Sequence, residues 1–283
     1  MTFIEHAQAH GLMIRDLISD GRWHRVPTAD KPRKRNGAYL WDGVRGVVKN
    51  WATMEDFAGW PERGQRVEPI DPLKLARDRK AALLKQQEQH KRVAVVAEYN
   101  LKSAQMLKHD YLAKKGFPDE LGLVLKGDLL VPMRDYRTMQ VMSLQRITSG
   151  GGKKFMTGGQ TKGAVYVIGR RSRNTGRIFC EGYATGLSVR AALDYMRQPI
   201  EVWVCFSAAN MVYVSDKIGG RRLVVADHDS SGTGQKAAES TGLPWVMPDL
   251  TGQDFNDLHQ SEGLGACVKL LRDLLQIDQL RQM

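Results

Sequence analysis

The chain has 283 residues, enough for one large or two modest domains, each with its own core. A hydrophobic content of 42% in regular runs marks a globular protein. No stretch approaches the roughly 20 apolar residues of a membrane span, and the polar amphipathic first 20 residues do not read as a signal peptide. The net charge of +11 is uneven: 32 Lys and Arg stand against 18 Asp and Glu in residues 1–176, and 10 against 13 in residues 177–283. A basic half suits a polyanion and a slightly acidic half suits cations, although a solvated basic face has the same composition. Cys180, Cys205 and Cys267 are scattered, with no disulfide framework and no CxxC pair, which fits a reducing cytoplasm.

In chain order, residues 3–18 predict a helix, apolar at Phe3, Ala7, Leu12 and Ile14. A basic loop with Arg33, Lys34 and Arg35 follows. Residues 38–41 and 44–51 then predict a hairpin around Asp42-Gly43, a pair suited to a tight type I′ turn. Pro69 and Pro72 break the chain. Residues 73–115 predict a long helical stretch interrupted once, whose lysines and arginines either track phosphates or cover a solvated connector. Residues 123–125, 129–133 and 139–147 read as strands, with a turn at residues 135–138. Next comes a glycine-rich basic segment with Lys153, Lys154 and Lys162, either a phosphate-gripping platform or a flexible loop. Strands at 177–180, 202–206, 223–226 and 245–247 then alternate with helices at 185–196, 208–217, 234–241 and 264–280. This alternation predicts a mostly parallel sheet covered by helices.

Sites in parallel α/β sheets form at the carboxyl ends of the strands. Three acidic clusters fall there: Glu181-Gly182, Asp227-His228-Asp229, and Asp254-Phe255-Asn256-Asp257 in the loop after the last strand. Strand alternation sends Asp227 and Asp229 one way and His228 the other. One such aspartate is as readily a helix cap or turn residue. Carboxylates that converge repel one another and call for a divalent cation, and an all-oxygen set selects Mg²⁺ or Mn²⁺ over zinc.

Glu181-Gly182-Tyr183-Ala184-Thr185-Gly186-Leu187-Ser188 resembles the first motif of TOPRIM domains, a glutamate in a strand-to-helix turn. Asp227-His228-Asp229 with Ser231-Gly232-Thr233-Gly234 resembles their DxD motif, and Asp254-Phe255-Asn256-Asp257 their third acidic motif. The wording is similar to the primase domains of phage and conjugative-plasmid replication proteins, through Leu144-Gln145-Arg146-Ile147 and Gly152-Lys153-Lys154-Phe155 upstream. The resemblance covers residues 111–263. It implies an α/β fold with a TOPRIM catalytic domain over 177–283, a basic β-rich subdomain over 121–176, a helical connector over 71–120, and a small α+β, zinc-free DNA-binding module over 1–70.

The implied activity is a DNA primase that makes short primers on single-stranded DNA from ribonucleoside triphosphates. Glu181 is then the acid/base or a metal-positioning carboxylate, and Asp227 and Asp229 hold Mg²⁺ (or Mn²⁺). Asp254 completes the site. Asn256 stands where bacterial replicative primases carry an acid, which weakens a second metal site there, with Asp257 as substitute. Lys153, Lys154 and Lys162 match the platform for duplex and nucleotide phosphates, joined by Arg146 and Arg134. In the first module, Trp23, Trp41, Trp51 and Tyr39 are either core residues or stacking surfaces for bases beside Arg33, Lys34 and Arg35. No GxxxxGK[ST] sequence and no zinc-ligand spacing occur, so a separate replicative helicase and a zinc-free enzyme in a bacterial cytoplasm are expected. The rival readings are a TOPRIM nuclease or topoisomerase, and a non-catalytic single-stranded-DNA-binding factor.

Overall fold

A computed structural model describes residues 1–61, 72–169 and 176–282. The break expected at Pro69 lies outside them. The chain divides into two compact units, Met1–Glu88 and Gln89–Met283. No described helix is long and apolar enough to cross a membrane.

In the first unit, helix α1 (Phe3–Ala9) opens on a capping box: the Thr2 hydroxyl accepts the Glu5 N–H, and the Glu5 carboxylate accepts the Thr2 N–H. The sequence predicts a helix to residue 18, but α1 stops far earlier. Gly11 adopts φ +76°, its N–H donates to the Gln8 carbonyl, and the Leu12 N–H donates to the Ala7 carbonyl. That left-handed cap turns Leu12 into the core, where it is 1% exposed. Strands β1 (Trp23–Val26), β2 (Gly37–Trp41), β3 (Gly46–Asn50) and β4 (Ala58–Trp60) form an antiparallel sheet in chain order. The expected hairpin is β2–β3, with a wider turn over residues 42–45. Asp42 Oδ1 accepts the N–H groups of Val44 and Arg45, and of these residues only Gly43 takes positive φ. Phe3 stacks on Trp41 at 4.5 Å, and Tyr39, Val48 and Trp60 complete this core.

Helix α2 (Pro72–Ser103) contains the division between the units; its first residue is a proline, whose missing N–H costs nothing there. The interruption expected in the long helical stretch is strand β5 (Gln105–Leu107), after which α3 (Asp110–Lys114) resumes. Strands β6 (Gly122–Leu125), β7 (Asp128–Asp135) and β8 (Val141–Ile147) follow as the alternation suggests. Between β7 and β8, Asp135 Oδ1 accepts the N–H groups of Arg137 and Thr138. Besides β1, β4 and β5, two further strands have no counterpart among the predicted elements: β9 (Lys153–Phe155) inside the glycine-rich segment, and β10 (Ala164–Ile168). Then come β11 (Arg177–Cys180), α4 (Tyr183–Tyr195), β12 (Glu201–Val204), α5 (Ala208–Lys217), β13 (Arg222–Val225), α6 (Thr233–Thr241), β14 (Trp245–Val246), α7 (Phe255–Glu262) and α8 (Leu264–Gln282).

These strands form one ten-stranded mixed sheet, ordered β14-β13-β11-β12-β10-β7-β6-β5, with β8 on β7 and β9 on β8. Pairing is parallel among β14, β13, β11 and β12, and antiparallel from β10 onward. Segments 121–176 and 177–283 therefore share one sheet, joined where β10 pairs with β12. Their cores also merge, because Leu129, Val131 and Met133 of β7 cluster with Ile178, Val202 and Leu223. The parallel strands are apolar on both faces: Ile178, Cys180 and Val202 belong to one cluster, Phe179, Trp203 and Val224 to the other.

Close packing explains one glycine of the first motif. A Cβ on Gly186 of α4 would stand 2.6 Å from Val204 Cγ2 and 3.1 Å from Ile168 Cδ1. Glycine costs a helix about 1 kcal/mol against alanine, so its presence here reflects contact with the sheet. We expect Gly186→Val to destabilise the fold by about 1–3 kcal/mol through overpacking. A urea midpoint equal to that of the unsubstituted chain would show that the helix does not lie so close.

Candidate active site

The parallel ladder brings the acidic motifs together. Strands β11 and β13 are direct neighbours with Phe179 opposite Val224, so both chains leave the sheet at the same edge. Glu181 follows β11 and Asp227 lies two residues beyond β13. Burial raises the Asp227 carboxyl to about 7, helped by the negative charges of Asp254 and Glu181, while Lys153 opposes the shift. Its Oδ1 is sealed from solvent and has no hydrogen-bond partner. Burial also raises Glu181; the Ala208 N–H at the start of α5 opposes this, Asp229 adds to it, and Lys153 lowers it. A cluster that keeps such groups above the usual carboxylate range stores unfavourable charge that a cation relieves.

Asp229 is placed differently. Its Oδ1 accepts the N–H groups of Ser231 and Thr233 and the Ser231 hydroxyl, and its Oδ2 accepts the Gly234 N–H at 2.7 Å. These bonds hold its carboxyl down at about 2, the Ser231 hydroxyl contributing most. Asp229 thus shapes the turn into α6. Gly234 is required there, since a Cβ would collide with the Asp227 carbonyl and lie 3.2 Å from Asp229 Oδ2. His228 points away from this turn, as alternation suggests, and its ring is engaged on both nitrogens. Nδ1 lies 2.9 Å from the Pro248 carbonyl and Nε2 lies 3.2 Å from the Thr251 hydroxyl. Its backbone bridges Gln253, the residue before Asp254. His228 therefore latches the loop that delivers the third motif, a role that spacing alone does not reveal.

The third motif is not a loop, as the sequence suggests, but the start of α7. Asp254 caps that helix: its Oδ1 accepts the Asp257 N–H at 2.8 Å, and Asp257 Oδ2 accepts the Asp254 N–H at 3.1 Å. Asp257 Oδ1 pairs with Lys115 Nζ at 3.4 Å, so both its oxygens serve the capping box and this ion pair. Asn256 is fully buried. Its amide donates to the Lys115 carbonyl (2.8 Å) and to Ser188 Oγ (3.0 Å), which ties α7 to α3 and α4. A neutral amide donor suits this dry junction.

The basic residues separate. Along β9, Lys153 and Phe155 share one face and Lys154 takes the other. The Lys153 charge acts on both Asp227 and Glu181, and its ammonium lies 5.8 Å from the Tyr111 ring centroid. Phe155 meets Phe206 edge-on at 6.3 Å, and the Phe206 N–H donates to the Glu181 carbonyl. Lys154 stands opposite Arg146 in the β8–β9 ladder, and Arg146 pairs with Asp128 at 2.6 Å. Arg134 donates to the Met139 carbonyl at 3.1 Å, and the Lys162 ammonium covers Tyr213 at 4.5 Å. Of the basic residues expected at the site from this unit, Lys153 is the one whose charge reaches the buried carboxylates. Arg33, Lys34 and Arg35 are exposed on a loop of the first unit.

Among the described residues, no three His, Cys, Asp or Glu side chains close into a ready-made metal cluster. The donors nevertheless fit a hard divalent cation. Asp227 offers an orphaned carboxylate oxygen, and Glu181 and Asp254 bring further oxygens within electrostatic reach; the Cys180 thiol lies within the same reach, but burial and these acids push it well above its usual range and keep it a neutral, poor ligand.

Two outcomes follow from these charges. Folded Asp227 binds its proton more tightly than the unfolded chain, so between about pH 4 and pH 7 its contribution to stability falls as pH rises. Mg²⁺ should therefore raise the melting temperature at pH 7.5 by roughly 2 °C or more, and by less at pH 5, where protons compete. Calorimetry showing an equal Mg²⁺ effect at both values would contradict the assignment. Asp229 is the opposite case: its depressed carboxyl stabilises the fold above about pH 4, and that contribution is lost as pH falls through about 2. In EDTA at pH 7.5, Asp227→Asn should raise the melting temperature and Asp229→Ala should lower it. Two shifts of the same sign would show that these aspartates are not divided in this way.

The chain is similar to a solved structure and to a family model. The structure named "Structure of the DnaG catalytic core" aligns over 69% of this chain and 73% of that chain, at 13% identity and a TM-score of 0.37. A family model described as Toprim domain matches residues 177–265, the span that carries Glu181, Asp227, Asp229 and Asp254. Residues 177–265 of this α/β chain form a Toprim domain.

Proposed function

We propose that the chain is a DNA primase, copying single-stranded DNA into short primers from ribonucleoside triphosphates by metal-dependent nucleotidyl transfer. The observation that carries this reading is the position of Lys153. A strand of the antiparallel part brings a cation within electrostatic reach of the two raised carboxylates of the Toprim domain. An acidic centre with a lysine at its rim suits a substrate that brings phosphates to a cation-binding site. The residues upstream, including Arg146 and Lys153-Lys154-Phe155, are also those in which the sequence resembles primase domains.

Asp227, Glu181 and Asp254 would hold Mg²⁺ or Mn²⁺, which would neutralise the leaving pyrophosphate and ease loss of the proton from the attacking 3′-hydroxyl. Glu181, raised above the usual carboxylate range by burial, is suited to accept that proton near neutral pH. Lys153 holds a phosphate of the incoming nucleotide. Asp229 keeps the turn beneath Asp227 in place, and His228 keeps the loop that presents Asp254 in place. Lys154 and Arg146, on the other face of β9, provide a second basic surface for the nucleic-acid backbone. Lys162 and Arg134 lie nearer α5 and the β7–β8 turn, suited to more distant phosphates.

The test is incubation with single-stranded DNA, labelled ribonucleotides and Mg²⁺. New short oligonucleotides are expected; a shortened template would mean a nuclease, and neither product a binding factor. Asp227→Ala should reduce synthesis at least about a hundredfold, since losing metal-based charge stabilisation costs several kcal/mol and each ~1.4 kcal/mol is tenfold in rate. Glu181→Gln should behave similarly. His228→Ala should cost less, about tenfold, because it loosens the Asp254 loop without removing a charge. Near-normal synthesis by folded Asp227→Ala, measured by gel electrophoresis, would refute the assignment of this centre.

A further inference from the structure

The first unit contains a surface that neither its core nor the carboxylate centre explains. Tyr39, Trp41, Val48 and Trp60 of its sheet face α1, where Phe3 packs among them. On β1 the alternation sends Trp23 and Arg25 to the opposite face, and Trp51 and Phe57 flank β3 and β4. These three aromatics are strongly exposed: Trp23 49%, Trp51 44% and Phe57 57%. Trp23 and Phe57 lie 5.4 Å apart, the Arg25 guanidinium covers Trp51 at 3.8 Å, and Lys49 Nζ is 5.2 Å from the Phe57 ring centroid. The face is open along β4, since a Cβ added to Gly59 would meet nothing within 4 Å, whereas nearer its centre Ala38 and Lys49 are buried and the Lys49 ammonium donates to the Glu55 carbonyl. The basic loop adjoins its Trp51 end: the Trp51 N–H donates to the Asn36 carbonyl, and Arg33, Lys34 and Arg35 are exposed just before Asn36.

Chemistry selects one occupant. Flat π surfaces alternating with cations complement a chain of unpaired bases joined by phosphates, because bases stack on aromatic faces and phosphates meet Lys and Arg. Double-stranded DNA keeps its base faces inside the stack and cannot use the rings in this way. An acidic peptide would use the cations and leave the rings idle. We propose that this open sheet face is a binding platform for single-stranded DNA. Bases stack on Trp23 and Trp51, and phosphates run along Arg25 toward Arg33 and Arg35. The inference rests on the proposed use of a single-stranded template, but it assigns the holding of that strand to residues that take no part in nucleotidyl transfer.

The test uses the full chain, fluorescein-labelled (dT)20 and excess EDTA without nucleotides, so that binding is read apart from synthesis. Trp23→Ala and Trp51→Ala should each weaken binding by roughly 5- to 100-fold, the loss of one stacked base. Trp23→Phe and Trp51→Phe, which keep a ring, should restore most of it. The salt dependence should be unchanged in the tryptophan variants, whereas Arg25→Ala should reduce the slope by about 0.7, because one phosphate is no longer neutralised. Melting curves confirm that each variant is folded. The proposal is overturned if the folded double variant Trp23→Ala/Trp51→Ala binds (dT)20 within twofold of the unsubstituted chain. It also fails if blunt duplex binds as tightly as (dT)20, or if (dT)20 does not bind. Loss of binding in the tryptophan variants of a chain that makes no primers would leave the platform standing and remove only the primase reading. Primer synthesis together with unaltered binding would do the reverse.

Discussion

The burial of Asp227 within reach of the Glu181 and Asp254 charges is the constraint that the rest of the second unit has to hold in place. An isolated carboxyl with a sealed, unpartnered oxygen is costly in a folded protein, and neighbours of the same sign add to the cost. Such a placement persists only where the surroundings over-determine it. Here they do. The β11–β13 ladder fixes where both chains leave the sheet, and its strands are packed between two apolar clusters. A shift of one residue in that ladder would exchange the side chains of the two clusters and spoil the packing of both, so the register that makes the core also makes the acidic centre.

Around the centre, most polar groups are spent on geometry. Asp229 closes the turn after β13, Asp254 and Asp257 cap α7, Asn256 joins three helices, and His228 grips the loop before α7. Each satisfies backbone donors or acceptors that would otherwise be left unpaired at a helix start or loop. Among the carboxylates of these motifs, the sealed oxygen left without a partner is that of Asp227. The contrast separates residues that build the centre from residues that stay available to a ligand, although all of them are acids or amides in the same short motifs. The same division runs through the first unit, where Tyr39 and Trp41 are core while Trp23 and Trp51 lie outside it.

Periodicity is most informative where burial is complete. The apolar runs that form β11, β12 and β13 are short and unbroken, and each is followed by a helix with a clear apolar face, so the parallel part of the sheet is legible in the sequence. It is least informative where the deciding contact is distant or the segment is short. The three residues of β9 carry a sheet pairing inside a glycine-rich stretch, which by composition reads as a loop. Helix α1 is shorter than its pattern implies because the apolar spacing continues to Ile14, while Gly11 ends the helix through backbone conformation. Helix α7 reads as a loop because its capping box uses aspartate at the third helical position, and its first turn holds acids of the kind that also bind metal.

The sequence by itself determined the residue types of the centre and their positions at strand ends. Glutamate after one apolar run, aspartates after another and a third acidic motif downstream can be read along one dimension, because strand length and alternation are local properties. It also determined that Asp227 and His228 point opposite ways. Only the tertiary structure decided which acids are buried together and which are tied into turns, since burial and hydrogen bonding depend on segments far apart in the chain. The same holds for the basic residues: Lys153 and Lys154 are adjacent in sequence and equal in charge. Pairing of β9 with β8 sends them to opposite faces, and sheet order then brings Lys153 within electrostatic reach of carboxylates that lie more than 25 residues away in the chain.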